Sequence, residues 1–491
     1  MRQLTSLDAQ FLALETRRQT GHVGSVAILD PSTTPGGTVA IADIEALITE
    51  RLPLLPPLRW RLREVPLGLD YPYWIDDEDF DLDFHVRELG LAAPGTDEQL
   101  ADQVARIMSR PLDRARPLWE VYVISGLQSD HVALLTKIHH AVIDGLSGAE
   151  IMGLLLDLTP EGRLVETTGP WGDNDAVPGE LGMLARGLAG AARYPLRALR
   201  ALPSALPNLE ETQFKTIPGA AMLGRLVGQA QRAITRQGPD ERTALVAPKT
   251  TFSGRVSAHR RFTFGQLSLD DVKAVKNAHG CTVNDVIVSI CAGAVRRWLI
   301  EHEELPDDPL VAQIPVSVRT EEQIGTYGNR IMLMAAALLT NIADPVERLH
   351  RTHEALGDMK ARHRALPASL LADANHFIPP AVFSRAARLT FGIATSRPGR
   401  PVWNLVISNV PGPQFPLYCA GAKLVANYPV SVITHGMGLN ITVMSYMGHL
   451  DFGILADREQ MPDVKRLIGW LGDELALLAP ERPRGRAARA P

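Results

Sequence analysis

Cysteine is scarce in this chain: Cys281, Cys291 and Cys419 are the three in 491 residues, and none has C-x-x-C spacing. That count excludes a disulfide framework and fits a reducing compartment. Long apolar runs are missing too; "IMLMAAALL" is about half of the ~18 residues a spanning helix needs. The opening "MRQLTSLDAQFLALE" has no apolar stretch behind a basic one, so no signal peptide is expected. The net charge of −5 comes without a single-sign block in the body of the chain, and only the tail "ERPRGRAARAP" is markedly basic. A general nucleic-acid grip is therefore not expected. Several catalytic signatures are also absent. Ser147 sits in "GLSGA", one position off the G-x-S-x-G elbow; no P-loop occurs, and "GMGLN" is too short for G-x-G-x-x-G. Neither H-x-x-x-H nor H-x-H is present, so no metal site is expected. These absences leave a cytoplasmic protein that could at most lie on a membrane.

What is present is a globular composition, 45% hydrophobic and 21% charged. At roughly 100 to 200 residues per domain the length predicts two or three folding units. Residues 1–165 alternate strand and helix signals. "HVGSVAIL", "LWEVYVI" and "HVALLTKI" read as strands, and "DEQLADQVARIMSRPL" as a helix with Leu100, Val104 and Ile107 on one face and Thr96 as its cap. Residues 166–247 turn to Gly, Pro, Ala and Arg. Arg186, Arg193, Arg197 and Arg200 interleave with leucines, so residues 181–207 read either as a helical connector or as a basic amphipathic element resting on lipid. Across 248–465 the mixed signals return. "TVNDVIVSICAGAVRRWL" places Val283, Val286, Ile287, Ile290 and Ala294 on one helical face. "DPVERLHRTHEAL" opens a helix with Pro345 in its first turn, and "NITVMSYMGHLDFGIL" reads as a hairpin about Met447-Gly448. Residues 466–491 read as a terminal helix and a basic tail.

The chemistry-bearing stretch is "HHAVIDG", His139 to Gly145. It follows the strand "HVALLTKI" and precedes a stripe of Ile151, Leu154, Leu155 and Leu158 at helical spacing, with Ser147 and Glu150 forming a capping-box pattern. The histidines thus fall where a strand ends and a tight loop enters a helix, so a rigid element aims what the loop exposes. An imidazole, with an ordinary pKa near ~6.5, can accept a proton from a hydroxyl or thiol near neutral pH. Alternation at a strand end lets only one of His139 and His140 face a given cavity, while the other packs or hydrogen-bonds. Asp144 suits a turn-locking carboxylate better than a second acid, and Gly145 permits a φ or an approach that a Cβ would block.

The whole string matches the HHxxxDG motif of the CoA-dependent acyltransferase superfamily. With "LTSLDAQFLALE", "RPLWEVYVISGL", "IPVSVR" followed by "YGNR", "ISNVPGP" and "YPVSVITHGMGLNITVMSYMGHLDFGILAD", the chain resembles the bacterial wax ester synthase/acyl-CoA:diacylglycerol acyltransferase family over residues 1–160 and 245–460. The resemblance implies an α/β (α+β) fold of two chloramphenicol-acetyltransferase-like domains, each a mixed sheet with helices, and a tunnel between them. It implies His140 as general base, Asp144 as an orienting residue and Gly145 as room for the thioester. Asn284 and Asp285 would shape the site, and Ser408 and Asn409 would be candidates for oxyanion binding. "DFGIL" at Asp451–Leu455 would be structural.

The implied reaction moves a long-chain acyl group from acyl-CoA, a substrate rather than a cofactor, to diacylglycerol, with no covalent intermediate. Long-chain alcohols or another hydroxylated lipid are the alternative acceptors, and an inactive lipid-binding or droplet-surface protein is the alternative class. Poorly soluble substrates imply peripheral contact with the inner face of the membrane or with a lipid droplet. Protein partners cannot be read from the sequence.

Overall fold

The computed structural model describes residues 1–143, 153, 155–163, 178–190, 246–317, 331–364 and 401–480. The first half runs β1 (Arg2–Gln3), α1 (Ser6–Leu14), β2 (His22–Asp30), α2 (Ile41–Arg51), β3 (Trp60–Arg63), β4 (Tyr73–Asp76), α3 (Leu82–His85), β5 (Val86–Gly90), α4 (Asp97–Met108), β6 (Trp119–Ser125), β7 (Val132–His139) and the single turn α5 (His140–Ile143). The second half runs β8 (Arg260–Ser268), α6 (Leu269–His279), α7 (Val283–Glu301), β9 (Leu310–Ser317), β10 (Ile331–Leu338), α8 (Pro345–Arg364), β11 (Leu405–Val410), β12 (Tyr418–Cys419), β13 (Ala422–Val430), β14 (Leu439–Tyr446), β15 (His449–Asp457) and α9 (Arg466–Leu478).

Two six-stranded sheets carry the fold, ordered β12-β13-β2-β7-β6-β5 and β10-β9-β11-β14-β15-β8. Each mixes parallel and antiparallel pairs: β5 runs parallel to β6, and β11 parallel to both β9 and β14. The first sheet thus recruits β12 and β13, which belong to the 248–465 segment. The two sheets therefore do not follow sequence order. The cause lies in backbone pairing: β13 runs antiparallel to β2 from Lys423↔Asp30 to Val430↔Gly24.

Local sequence explains the elements near the histidines. Thr96 and Gln99 form a reciprocal capping box at the start of α4, whose Leu100, Val104, Ile107 and Met108 are buried. Gly24 lies where β2 meets β7, and a Cβ there would fall 1.9 Å from the Thr136 carbonyl oxygen. Only glycine lets those strands pair at that point. At the β14–β15 turn Met447 has φ 46° and Gly448 φ 83°, as a two-residue hairpin with two positive φ values requires.

Two expectations change. Helix α7 is not buried on one face alone; Val288, Ser289, Cys291, Ala292 and Gly293 are buried as well. Its small residues admit neighbours on every side, and Gly293 lies beneath the buried ion pair of Arg348 from α8 with Glu474 from α9. Leu158 does not join the helical stripe after the motif. It is 67% exposed in a bend, whereas Leu156 is buried, because the backbone pairing of Asp157 with Tyr418 has already ended the helix. Ser147, Glu150, Ile151 and Leu154 lie outside the described residues. The three cysteines are buried and not disulfide-bonded. Among the described residues no single helix is long and apolar enough to cross a membrane.

Candidate active site

His139 closes β7 and His140 opens α5. Their backbone is pinned from both sides, His139 N–H donating to the Leu118 carbonyl at 2.9 Å and His140 N–H to the Gly21 carbonyl at 2.8 Å. The two side chains then diverge. His139 is 1% exposed; its Nδ1 accepts the Ala141 N–H at 3.1 Å, and its Nε2 lies 3.3 Å from Glu15 Oε1. With Nδ1 accepting, the ring proton sits on Nε2, beside the carboxylate but outside hydrogen-bond geometry. A Cβ on Gly21 would come within 2.8 Å of that Nε2, so glycine is what admits the ring. His140 is half-buried, its ring stacked on Phe11 with centroids 4.1 Å apart and planes at 18°.

Helix α1 therefore serves both imidazoles. Thr5 and Asp8 cap its start, Phe11 covers a face of His140, and Glu15 at its end receives His139. Gly21 N–H donates to Glu15 Oε1 at 2.8 Å, and Arg114 Nη2 donates to Oε2 at 2.9 Å and to the Leu12 carbonyl at 2.7 Å. Burial alone would raise the Glu15 carboxyl, but its contact with His139, the Gly21 amide and Arg114 outweigh it and hold it at about 2. Sequence reasoning missed Phe11, Glu15, Gly21 and Arg114. The first two were visible as an aromatic and a carboxylate four positions apart at the end of an apolar helix, but their partners are remote in sequence.

A polar layer lies beside His139 on the same sheet. His22 stands opposite it in the β2–β7 register, and burial followed by the Lys137 charge pushes His22 down to about 3. His22 Nε2 donates to the Met108 carbonyl at 2.7 Å. Buried Lys137 donates to the carbonyls of Ile107 at 3.2 Å and Arg110 at 2.8 Å and to Glu120 at 3.3 Å. Burial lowers its pKa against the raising effect of Glu120. The last carbonyls of α4 are thereby satisfied from below.

The second-half candidates form their own group. Asn409 on β11 donates from Nδ2 to Asn284 Oδ1 at 3.4 Å, so two of them meet. Asp285 is buried; with Thr282 it forms the capping box of α7, and it lies 2.7 Å from His353 Nδ1 on α8. Ser408 is half-buried on β11 and, next to Asn409, faces the other side of its strand. Asp451 of "DFGIL" is buried and accepts from Gln266 Nε2 at 2.8 Å and Asn427 N–H at 2.7 Å, while a Cβ on Gly453 would fall 1.7 Å from the Pro429 carbonyl oxygen. Both residues let β15 hold β13. Asp144 and Gly145 lie outside the described residues, as do Arg193, Arg197 and Arg200. Among the described residues no three His, Cys, Asp or Glu side chains are grouped to hold a metal.

A condensation domain of the calcium-dependent antibiotic synthetase shares the fold, with a TM-score of 0.52, 15% identity and coverage of 98% of this chain and 97% of that one. The wax ester synthase/diacylglycerol acyltransferase catalytic-domain model matches residues 4–287, and the corresponding C-terminal-domain model matches residues 327–479. The chain belongs to the wax ester synthase/diacylglycerol acyltransferase family and is an acyltransferase. A Mycobacterium tuberculosis protein classed as a diacylglycerol O-acyltransferase is 35% identical over 94% of this chain and 87% of its own length. An Acinetobacter baylyi O-acyltransferase is 33% identical over 97% of both chains. The solved wax ester synthase/diacylglycerol acyltransferase of Marinobacter aquaeolei VT8 matches with a TM-score of 0.68 and 28% identity over 97% of this chain and 98% of that one.

Proposed function

We propose that this acyltransferase moves a long-chain acyl group from acyl-CoA to diacylglycerol, forming triacylglycerol, with His140 as general base. One observation carries the assignment within the histidine pair. His139 is buried, its Nδ1 accepting the Ala141 N–H and its Nε2 enclosed beside Glu15, whereas His140 stands half-buried at the strand end against Phe11. An alcohol hardly ionises at neutral pH, so the base takes its proton as the oxygen attacks the thioester and returns it to the departing CoA thiolate. The donor is already activated and no covalent enzyme intermediate is needed. Asp144 orients the turn, Gly145 leaves room for the thioester, and Asp285 fixes the end of α7. Asn284, whose amide N–H groups are not used in its bond with Asn409, is a donor for the tetrahedral oxyanion with Asn409 beside it, and Ser408 is the candidate on the opposite face of β11; each such donor is worth about 3 kcal/mol.

Thiol release from palmitoyl-CoA is expected only when diacylglycerol is added, and His140→Ala should abolish it while the unfolding transition stays near that of the wild type. Turnover in a well-folded His140→Ala protein would reject the base. The wax ester synthase name of the Marinobacter relative also supports long-chain alcohols as acceptors, so hexadecanol belongs in the same competition assay.

Contact with a membrane or droplet surface is assigned to residues 181–207. Their described part supports this reading. In the helical stretch 180–190, Met183 and Gly187 are buried while Arg186 is exposed and Leu181 and Leu188 are 83% and 56% exposed. An exposed apolar face flanked by a cation suits lipid contact. Flotation with anionic liposomes should fall when Arg186, Arg193, Arg197 and Arg200 become glutamine; equal flotation would return the stretch to a connector.

A further inference from the structure

The seam between α4 and the start of β8 holds a cleft of about 360 Å³ in which cations gather without a matching set of anions. Arg106, Arg110, Arg260, Arg261 and Arg458 line it, and Asp102 is its one carboxylate. Two of the arginines have set duties. Arg261 Nη1 donates to Asp102 at 2.9 Å. Arg260 is buried, held near Asp457, and donates to the carbonyls of Ser257 at 2.8 Å, His259 at 3.1 Å and Arg18 at 2.6 Å. Arg106, Arg110 and Arg458 are exposed, and no described carboxylate lies within ion-pair distance of them. Three guanidiniums lining one cleft, two from α4 and its end and one from the β8–β15 side, repel each other unless an anion joins them. Farther along the same seam the balance reverts, with Asp97, Glu98 and Asp102 facing Arg261 and Lys465.

Two features connect this cleft to the histidines. The last turn of α4 would ordinarily present its carbonyl dipoles to an anion and weaken binding. Here the carbonyls of Ile107 and Met108 point inward, to Lys137 and His22, as does that of Arg110 just past the helix to Lys137, and His22 pairs with His139 across β2 and β7. On the other wall, Arg260 grips the carbonyl of Arg18, three positions before the Gly21 whose own carbonyl holds His140. The loop from Glu15 to Gly21 thus runs from the cleft to the candidate base.

The geometry points to this cleft as the seat of the phosphate groups of the acyl-CoA nucleotide, with Arg106, Arg110 and Arg458 as its anion-binding side chains. The assignment rests on the acyl-CoA reading above. A CoA ester carries a diphosphate and a ribose phosphate at one end and the thioester at the end of a flexible arm, so its anionic end must bind at a distance from the base. Guanidinium groups suit such oxyanions because each offers paired donors.

The test uses the full chain with Arg106→Gln, Arg110→Gln and Arg458→Gln combined, all at exposed positions, and Lys465→Gln as the control. Adenosine 3′,5′-bisphosphate, titrated calorimetrically, should bind the wild type and the control alike and the triple variant at least about tenfold more weakly. The KM for palmitoyl-CoA should rise by a similar factor, while kcat/KM for palmitoyl-N-acetylcysteamine, a thioester without the nucleotide, should stay within about twofold. Equal bisphosphate binding by the wild type and the triple variant, or none by either, overturns the site. So does an equal loss with both donors, or a loss confined to binding of phosphatidylglycerol vesicles, which would make the cleft a lipid-headgroup site. If no donor is turned over even by the wild type while bisphosphate still distinguishes the two proteins, the nucleotide site stands and the acyl-transfer reading falls.

Discussion

Replacing Glu15 with glutamine should destabilise the protein at neutral pH by about 3 kcal/mol. The figure follows from the carboxyl itself, which falls from an ordinary 4.5 to about 2 in the folded chain, at about 1.4 kcal/mol per pKa unit. Its side chain is only 10% exposed, so solvent screening removes little of this. Hydrogen-bond geometry gives a figure of the same order. Donors face both oxygens, Gly21 N–H and the His139 ring on one side and Arg114 on the other. An amide has one acceptor oxygen, so either orientation of the substituted side chain turns its NH2 against a donor, and a buried donor left unmet costs about 1–3 kcal/mol.

The sign of the pH dependence follows. A depressed carboxylate gives its full stability above the unfolded pKa of 4.5 and loses it as pH falls towards about 2. The wild type should therefore exceed Glu15→Gln by a constant margin from pH 6 to 8, and the margin should shrink only below about pH 4.5. Urea unfolding followed by tryptophan fluorescence at several pH values reads this directly. A margin under about 0.5 kcal/mol at pH 7, or one that changes between pH 6 and 8, would refute the placement of the negative charge on Glu15 beside His139.

The other expectations are more local. Phe11→Leu removes the ring under His140; a stacked pair is worth about 0.5–1.5 kcal/mol, so kcat should fall about two- to tenfold with KM nearly unchanged, and Phe11→Tyr should restore it, whereas a purely structural Phe11 would move the unfolding midpoint and leave kcat alone. Lys137→Met takes the buried cation from Glu120, leaving it the Tyr122 O–H at 3.0 Å and the Arg87 guanidinium at 3.7 Å, and should cost about 2–3 kcal/mol; adding Glu120→Gln should recover a substantial part in urea titrations, and additive losses would show the pair uncoupled. Gly453→Ala drives a Cβ into the Pro429 carbonyl and should lower stability by about 3 kcal/mol, while the same change at Gly469, where no atom lies within 4 Å, should be nearly neutral.

Legibility in the sequence followed the range of the interactions. Strands β6 and β7, the cap at Thr96 and the hairpin at Met447-Gly448 are set by neighbouring residues, and local pattern suffices to read them. The stripe on α7 reveals a helix but not its burial on all sides, because Ser289, Ala292 and Gly293 look like a polar or neutral face until α8 and α9 close over them. The separate fates of His139 and His140 follow from alternation, yet the reason His139 is the buried one is Glu15, more than a hundred residues away. Nothing local in β13 announces that it leaves its own half, since a strand's hydrophobic pattern names the face it buries and not the partner whose edge it meets.

That crossing strand accounts for how two halves can hold one imidazole still. Strand β13 pairs with β2, and β2 with β7, so its register passes across two ladders to the residue before His140. On its other side β13 is tied to the second sheet, Asp451 taking the Asn427 N–H and Gly453 admitting the Pro429 carbonyl. Domain interfaces built from side chains alone commonly allow relative motion. Backbone pairing tolerates no such sliding, because a shift of one residue would invert every side chain on the strand. The second half thus forms part of the sheet on which the histidines stand, joined to it by backbone pairing and not by side chains of the site.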